Sequence, residues 1–147
     1  MTLTSLIKDA VWTVVENPAS AGTTDLVTDI LDMAGFEAVL FHVALVDSTN
    51  TGTVRLNIYG NTANSTSGST LIGTGSTVTY TADDSHNNKI LIHELLKPTY
   101  RYVYAVVDLG TANTATGAVT AIQYGGTMKS PTTQPASVAA ANLTVCP

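Results

Sequence analysis

Cysteine is nearly absent from the 147-residue chain: Cys146 is the single one. An internal disulfide is therefore impossible, and a structural zinc site would need other ligands for three missing thiolates, at a spacing the sequence lacks. Charge is scarce as well. Asp, Glu, Lys and Arg make up 12% of the residues, against roughly 25% in an average domain. Six basic residues face eleven acidic ones, for a net charge of −5. That balance excludes a basic stripe tracking nucleic-acid phosphates and a polybasic patch for anionic membranes. No apolar run approaches the roughly 18 residues of a helical membrane span. The first nine residues lack the charged n-region and long apolar h-region of a signal peptide, so synthesis in the cytoplasm is expected.

What fills the chain instead is apolar residues, at 44%, and Thr, Ser, Asn and Gly between them. A single core is expected, because a chain of this length buries about 70% of its unfolded surface. Short apolar stretches separated by Gly, Asn, Ser and Thr clusters are the signature of an all-β chain. Residues 10–15 read as the first strand. Residues 52–60 alternate cleanly, with Val54, Leu56 and Ile58 inward and Arg55 and Asn57 outward. Further strands are expected near 71–72, 76–81, 89–96, 100–108 and 117–125. The run 36–46 is apolar in both parities, interrupted by Glu37 and His42. Such a strand is buried on both faces, or on one face and under a neighbouring subunit.

Residues 24–33 carry two readings. Leu26, Val27, Ile30 and Leu31 would suit a short amphipathic helix. The β-branched residues and the Ala34-Gly35 turn favour a strand leading into a hairpin. In all, about eight strands are spaced for an antiparallel β-sandwich of jelly-roll type. The organisation expected is an N-terminal arm and first strand over 1–23, a sandwich core over 24–127, and an extended C-terminal arm over 128–147 containing Pro131 and Pro135.

No catalytic constellation emerges. The serines sit in turn-like stretches without a nucleophile elbow. His93 and Glu94 are adjacent on a strand and point to opposite faces. Asp83, Asp84 and His86 form the one cluster resembling a metal site, but the spaced pattern of a calcium loop is missing, and a solvated turn is the better reading. Neither a metal nor a cofactor is expected. Tyr100, Tyr102 and Tyr104 recur with period two, which would line three rings on one face of one strand, with Arg101 opposite beside Val103 and Ala105. Rings in that arrangement cover a core, anchor a protein partner or stack on sugars. With Trp12, Pro131 and Pro135 they make the candidate contact surface.

The block Leu31-Asp32-Met33-Ala34-Gly35-Phe36-Glu37-Ala38-Val39-Leu40-Phe41 resembles the strand-turn-strand of small tailed-bacteriophage virion proteins. Lys97-Pro98-Thr99-Tyr100-Arg101-Tyr102-Val103 and Ala118-Val119-Thr120-Ala121-Ile122-Gln123-Tyr124-Gly125 continue the resemblance in the same order. It implies a head decoration, or capsid cement, protein: non-enzymatic, often trimeric, made in the host cytoplasm. Such a protein sits on the capsid surface and clamps neighbouring major capsid protein subunits. A head–tail connector, tail or neck protein fits the same resemblance. A carbohydrate-binding or host-adhesion module is the alternative that the tyrosines and polar loops suggest. The resemblance assigns no functional residue.

Overall fold

Alternation of apolar and polar residues builds eleven strand pieces, here β1 (Ala10–Glu16), β2 (Ala19–Gly22), β3 (Leu26–Val27), β4 (Leu31–Asp32), β5 (Ala38–Ser48), β6 (Thr53–Asn61), β7 (Thr70–Gly73), β8 (Val78–Thr79), β9 (Ile90–Leu96), β10 (Tyr102–Gly110) and β11 (Thr114–Tyr124). A short helix, α1 (Leu6–Asp9), precedes them. The computed structural model describes residues 6–125 and 135–140. All strand pairs are antiparallel. One sheet has the order β1-β11-β5-β9, with β2 also on β11; the other has the order β3-β10-β6-β7, with β4 on β10 and β8 on β6.

Three pairs of pieces are single strands interrupted. β1 and β2 follow one another along β11, β3 and β4 along β10, and β7 and β8 along β6. Counted this way the sandwich has eight strands, ordered 1-8-3-6 and 2-7-4-5. That is a jelly roll, two antiparallel sheets wound from nested Greek keys. The fold class expected from the pattern is the one observed.

The core lies between the sheets, where one parity of each long strand is buried. Phe41, Val43 and Leu45 of β5 meet Leu56 and Ile58 of β6 and Val103, Ala105 and Val107 of β10. His93 belongs here too: its Nδ1 is 2.7 Å from the Leu56 carbonyl oxygen, while Glu94 faces outward, as alternation requires.

Three local expectations change. The Ala34-Gly35 turn does not close a hairpin; it carries the chain from β4 in one sheet to β5 in the other. Asp32 Oδ1 accepts the Ala34 N–H at 2.9 Å, and Gly35 takes a φ of 87°, so local turn chemistry is as read while its destination is not. The strand expected over 24–33 breaks at Thr28, whose N–H and hydroxyl both engage Ala105 while Asp29 N–H turns across to the Val15 carbonyl at 2.8 Å. The two sheets are stitched at that corner. Finally, the stretch 76–81 supplies only β8, because the chain crosses close over β6 at Gly75.

Candidate functional site: the outer face of the first sheet

Each sheet has one face toward the core and one away from it, and the two outward faces differ in chemistry. On the second sheet the outward face is mixed, with Val27, Tyr59, Leu71, Tyr102, Tyr104 and Val106 interleaved with polar residues that are largely occupied by their own partners. Arg55 is paired to Asp108 directly across β6 and β10. Asn61 Nδ2 donates to the carbonyls of Ser65 and Ser67, which folds the 62–69 loop against the sheet.

The candidate tyrosines lie around this second sheet and do not form one platform. Tyr102 and Tyr104 share its outward face. Tyr104 stacks on Tyr59 with centroids 5.4 Å apart, its hydroxyl 2.6 Å from Ser69 Oγ, and it is 5% exposed. Tyr102 is half-buried, with the Arg101 guanidinium 5.2 Å from its ring centre. Tyr100 precedes β10 and leaves the stripe. Its ring lies against Gly60, which has the parity of the core residues Leu56 and Ile58, so it closes the end of the sandwich. Arg101 is corrected as well: the bend before β10 turns it away from Val103 and Ala105, out to a bidentate pair with Asp32 at 2.8 and 3.0 Å. That pairing holds the Asp32 carboxyl below its ordinary range.

On the first sheet the outward face is apolar. Registered rows run Ala10–Tyr124–Ala38–Leu96, Trp12–Ile122–Leu40–Glu94 and Val14–Thr120–His42–Ile92, with Ala44 beside Ile90 beyond them. Ile90, Ile92 and Leu96 are 56%, 58% and 62% exposed. Within these rows Glu94 is the one carboxylate, and Tyr124 donates its hydroxyl to it. No Lys or Arg stands among them. Trp12 is half-buried at one side, its Nε1 donating to the Leu6 carbonyl at 3.4 Å. Among the described residues no further layer of structure covers this face. The run 36–46 thus has its core parity buried and its other parity, Leu40, His42 and Ala44, on an open face. Contiguous apolar surface of this kind marks interaction sites.

Of the remaining candidates, Pro131 and Cys146 lie outside the described residues. Pro135 begins the described piece of the arm expected over 128–147. That piece touches β1 at Ser137, whose Oγ accepts the Val14 N–H at 3.2 Å.

Asp83, Asp84 and His86 are engaged in turn chemistry. Asp83 Oδ1 accepts from Asn50 N–H at 2.8 Å, and Asp84 Oδ1 from Asn87 Nδ2 at 2.7 Å. His86 stands edge-on to Tyr80 with centroids 5.2 Å apart. Among the described residues no three His, Cys, Asp or Glu side chains converge to hold a metal ion.

Two groups give the fold opposite pH responses. Burial on the apolar face pushes His42 below 6.5, so the unfolded chain takes up that proton first and stability falls as pH drops through 6.5. Asp47 is raised above 3.8, chiefly through its hydrogen bond to Asp84, with burial and the Asp84 charge adding to it. Its contribution is present below 3.8 and lost as pH rises through the folded-state value. Thermal midpoints measured from pH 7.5 downward should therefore first decline, and His42→Gln should flatten that decline. Asp47→Asn should raise the midpoint at pH 7 and leave the His42 branch unchanged.

No family model and no curated protein matches the sequence. Among solved structures, a chain in the structure of infectious bursal disease virus, Gx strain, is similar with a TM-score of 0.50 and 11% sequence identity. The match covers 82% of this chain and 34% of that one, so the chain spans about a third of its neighbour's length. At that identity the likeness is one of fold, the jelly-roll sandwich.

Proposed function

We propose that the chain is a non-enzymatic structural protein of a virion, of the decoration type, which binds the outside of the capsid through the open face of its first sheet. The observation that carries this reading is that face: Val14, Leu40, Ile90, Ile92, Leu96 and Ile122 stand together on it, half-buried or exposed, with a single carboxylate among them. A stable protein–protein contact needs a desolvated apolar centre with a polar rim. Here Leu40, Ile92 and Ile122 are the centre, and Glu94, Tyr124 and Thr120 add polar atoms near it. Jelly rolls build viral capsids among other assemblies, and the phage resemblance supports the same class. The partner is the major capsid protein, and the chain associates with copies of itself. The second sheet offers a sugar little, because Tyr104 is covered by the 62–69 loop and Arg101 lies over Tyr102.

The test is co-sedimentation with particles lacking the protein. Wild type should bind saturably and raise the temperature at which particles release their genome. Ile122→Lys and Leu40→Lys, each placing an ammonium in the middle of the face, should weaken binding by at least tenfold while the isolated variants remain folded. Full occupancy by both variants, or particle stability indifferent to the protein, would remove the proposal.

A further inference from the structure

Among the described residues three of the four sheet edges are blunted. β1 carries a bulge between Val14 and Glu16, and Ser137 occupies the Val14 N–H on its open side. The second sheet ends in the two-residue pieces β3 and β4 on one side and the broken pair β7 and β8 on the other. Short, bulged or covered edges are how β-proteins refuse a foreign strand.

β9 has none of these protections. It runs unbroken over Ile90–Leu96 without Pro, Lys or Arg, and it pairs with β5 with no register shift. No described strand lies on its other side. The Lys89 carbonyl accepts the Leu45 N–H at 2.8 Å. Antiparallel alternation then turns the odd residues of β9 toward β5 and aims the N–H and C=O groups of Ile90, Ile92, Glu94 and Leu96 at the open edge. Three of those four residues, Ile90, Ile92 and Leu96, also carry exposed apolar side chains on the outer face.

We propose that β9 pairs antiparallel with the β9 of a second copy, centred on Ile92, joining two first sheets into one continuous sheet across a two-fold axis. The strand is self-complementary in this register; centring on Leu91 would pair only Ile90–Ile92 of it, and centring one or two residues further along sets like charges opposite. Face and hydrogen-bond parity both require the centre to fall on a residue. Centring on His93 sets Lys89 opposite Lys97, and centring on Glu94 sets two carboxylates face to face. Centring on Ile92 puts isoleucine against isoleucine and Ile90 against the stem of Glu94. Lys89 then lies opposite Leu95, so neither like-charged pair is set face to face. Such an isologous contact closes as a dimer, where the phage resemblance implies a trimer. It does not depend on capsid binding, since it forms in solution.

Sedimentation equilibrium of the full chain, carrying Cys146→Ser to exclude disulfide-linked dimers, tests this pairing. A reversible monomer–dimer equilibrium below about 100 μM is expected. Ile92→Pro removes an edge N–H where proline is tolerated, and Ile92→Lys adds an edge charge. Each should raise the dimer dissociation constant at least tenfold with little change in thermal midpoint, while Val14→Lys on the opposite edge leaves it within about twofold. In the same background Ile92→Cys should cross-link on oxidation. A chain that stays monomeric, a trimer, or a dimer unchanged in both Ile92 variants overturns the proposal. Monomer in solution together with particle binding lost in Ile92→Pro gives the edge to a capsid strand instead, and also overturns it.

Discussion

Phe41→Ala should lower the unfolding free energy by about 3–5 kcal/mol, a fall in thermal midpoint on the order of 10 °C. Phe41 is wholly inaccessible, within one of the two longest core strands, with Ala121 on one neighbouring strand and His93 on the other. Across the sandwich stand Leu56, Ile58 and Ala105, small or already committed side chains that cannot swing into the space. Both sheets are held by continuous ladders at this level, so the cavity would stay open rather than collapse. The control is the next residue. His42 points out of the same strand onto the open face, and His42→Ala should cost well under half as much. Paired calorimetric scans decide the matter. Equal losses at 41 and 42 would mean that the core does not lie where the alternation puts it.

Gly75→Ala should be nearly as damaging, about 3 kcal/mol, for the opposite reason. A Cβ on Gly75 would sit 2.3 Å from the Leu56 carbonyl oxygen and 3.0–3.1 Å from that residue's backbone C and N. Backbone in a central strand cannot step aside without losing its ladder. The Gly75 N–H also donates to Asn57 Oδ1 at 3.2 Å, which pins the crossing chain against β6. Two other glycines separate the causes. At Gly60 the added carbon meets the Tyr100 ring at 2.6 Å and its Cβ at 2.9 Å. Rotation cannot move that Cβ, but Tyr100 precedes β10 and can shift with its loop, so Gly60→Ala should cost less than Gly75→Ala and displace Tyr100. At Gly68 nothing lies within 4 Å, and the φ of +75° alone is at stake, worth about 1–2 kcal/mol. Denaturant melts of the three variants should rank 75 above 60 and 68. Gly75→Ala with wild-type stability would disprove the close crossing.

The candidate contact residues show which signals a single sequence carries. Tyr100, Tyr102 and Tyr104 have period two, but the period holds only while the chain stays extended, and the bend at Arg101 ends it. The salt bridge to Asp32 that draws Arg101 outward joins residues 69 positions apart, beyond the reach of any local pattern. Trp12 does fall on the open face. Ile90, Ile92 and Leu96, its most exposed members, were absent from the candidates. Their signal was present: 89–96, like 36–46, is apolar in both parities, and a strand so built has more apolar faces than one core can cover.

The sequence by itself determined the β-class, the inward parity of β6, the opposite outlooks of His93 and Glu94, and the turn at Ala34 and Gly35. These follow from backbone geometry acting over a few residues. Only the tertiary structure decided that the turn at Gly35 changes sheets, that eight strands appear as eleven pieces, and that β9 is left at an unprotected edge. It also decided which of two apolar faces stays uncovered. Period two defines the faces of a strand, but strand order, set by contacts tens of residues apart, determines what lies over each.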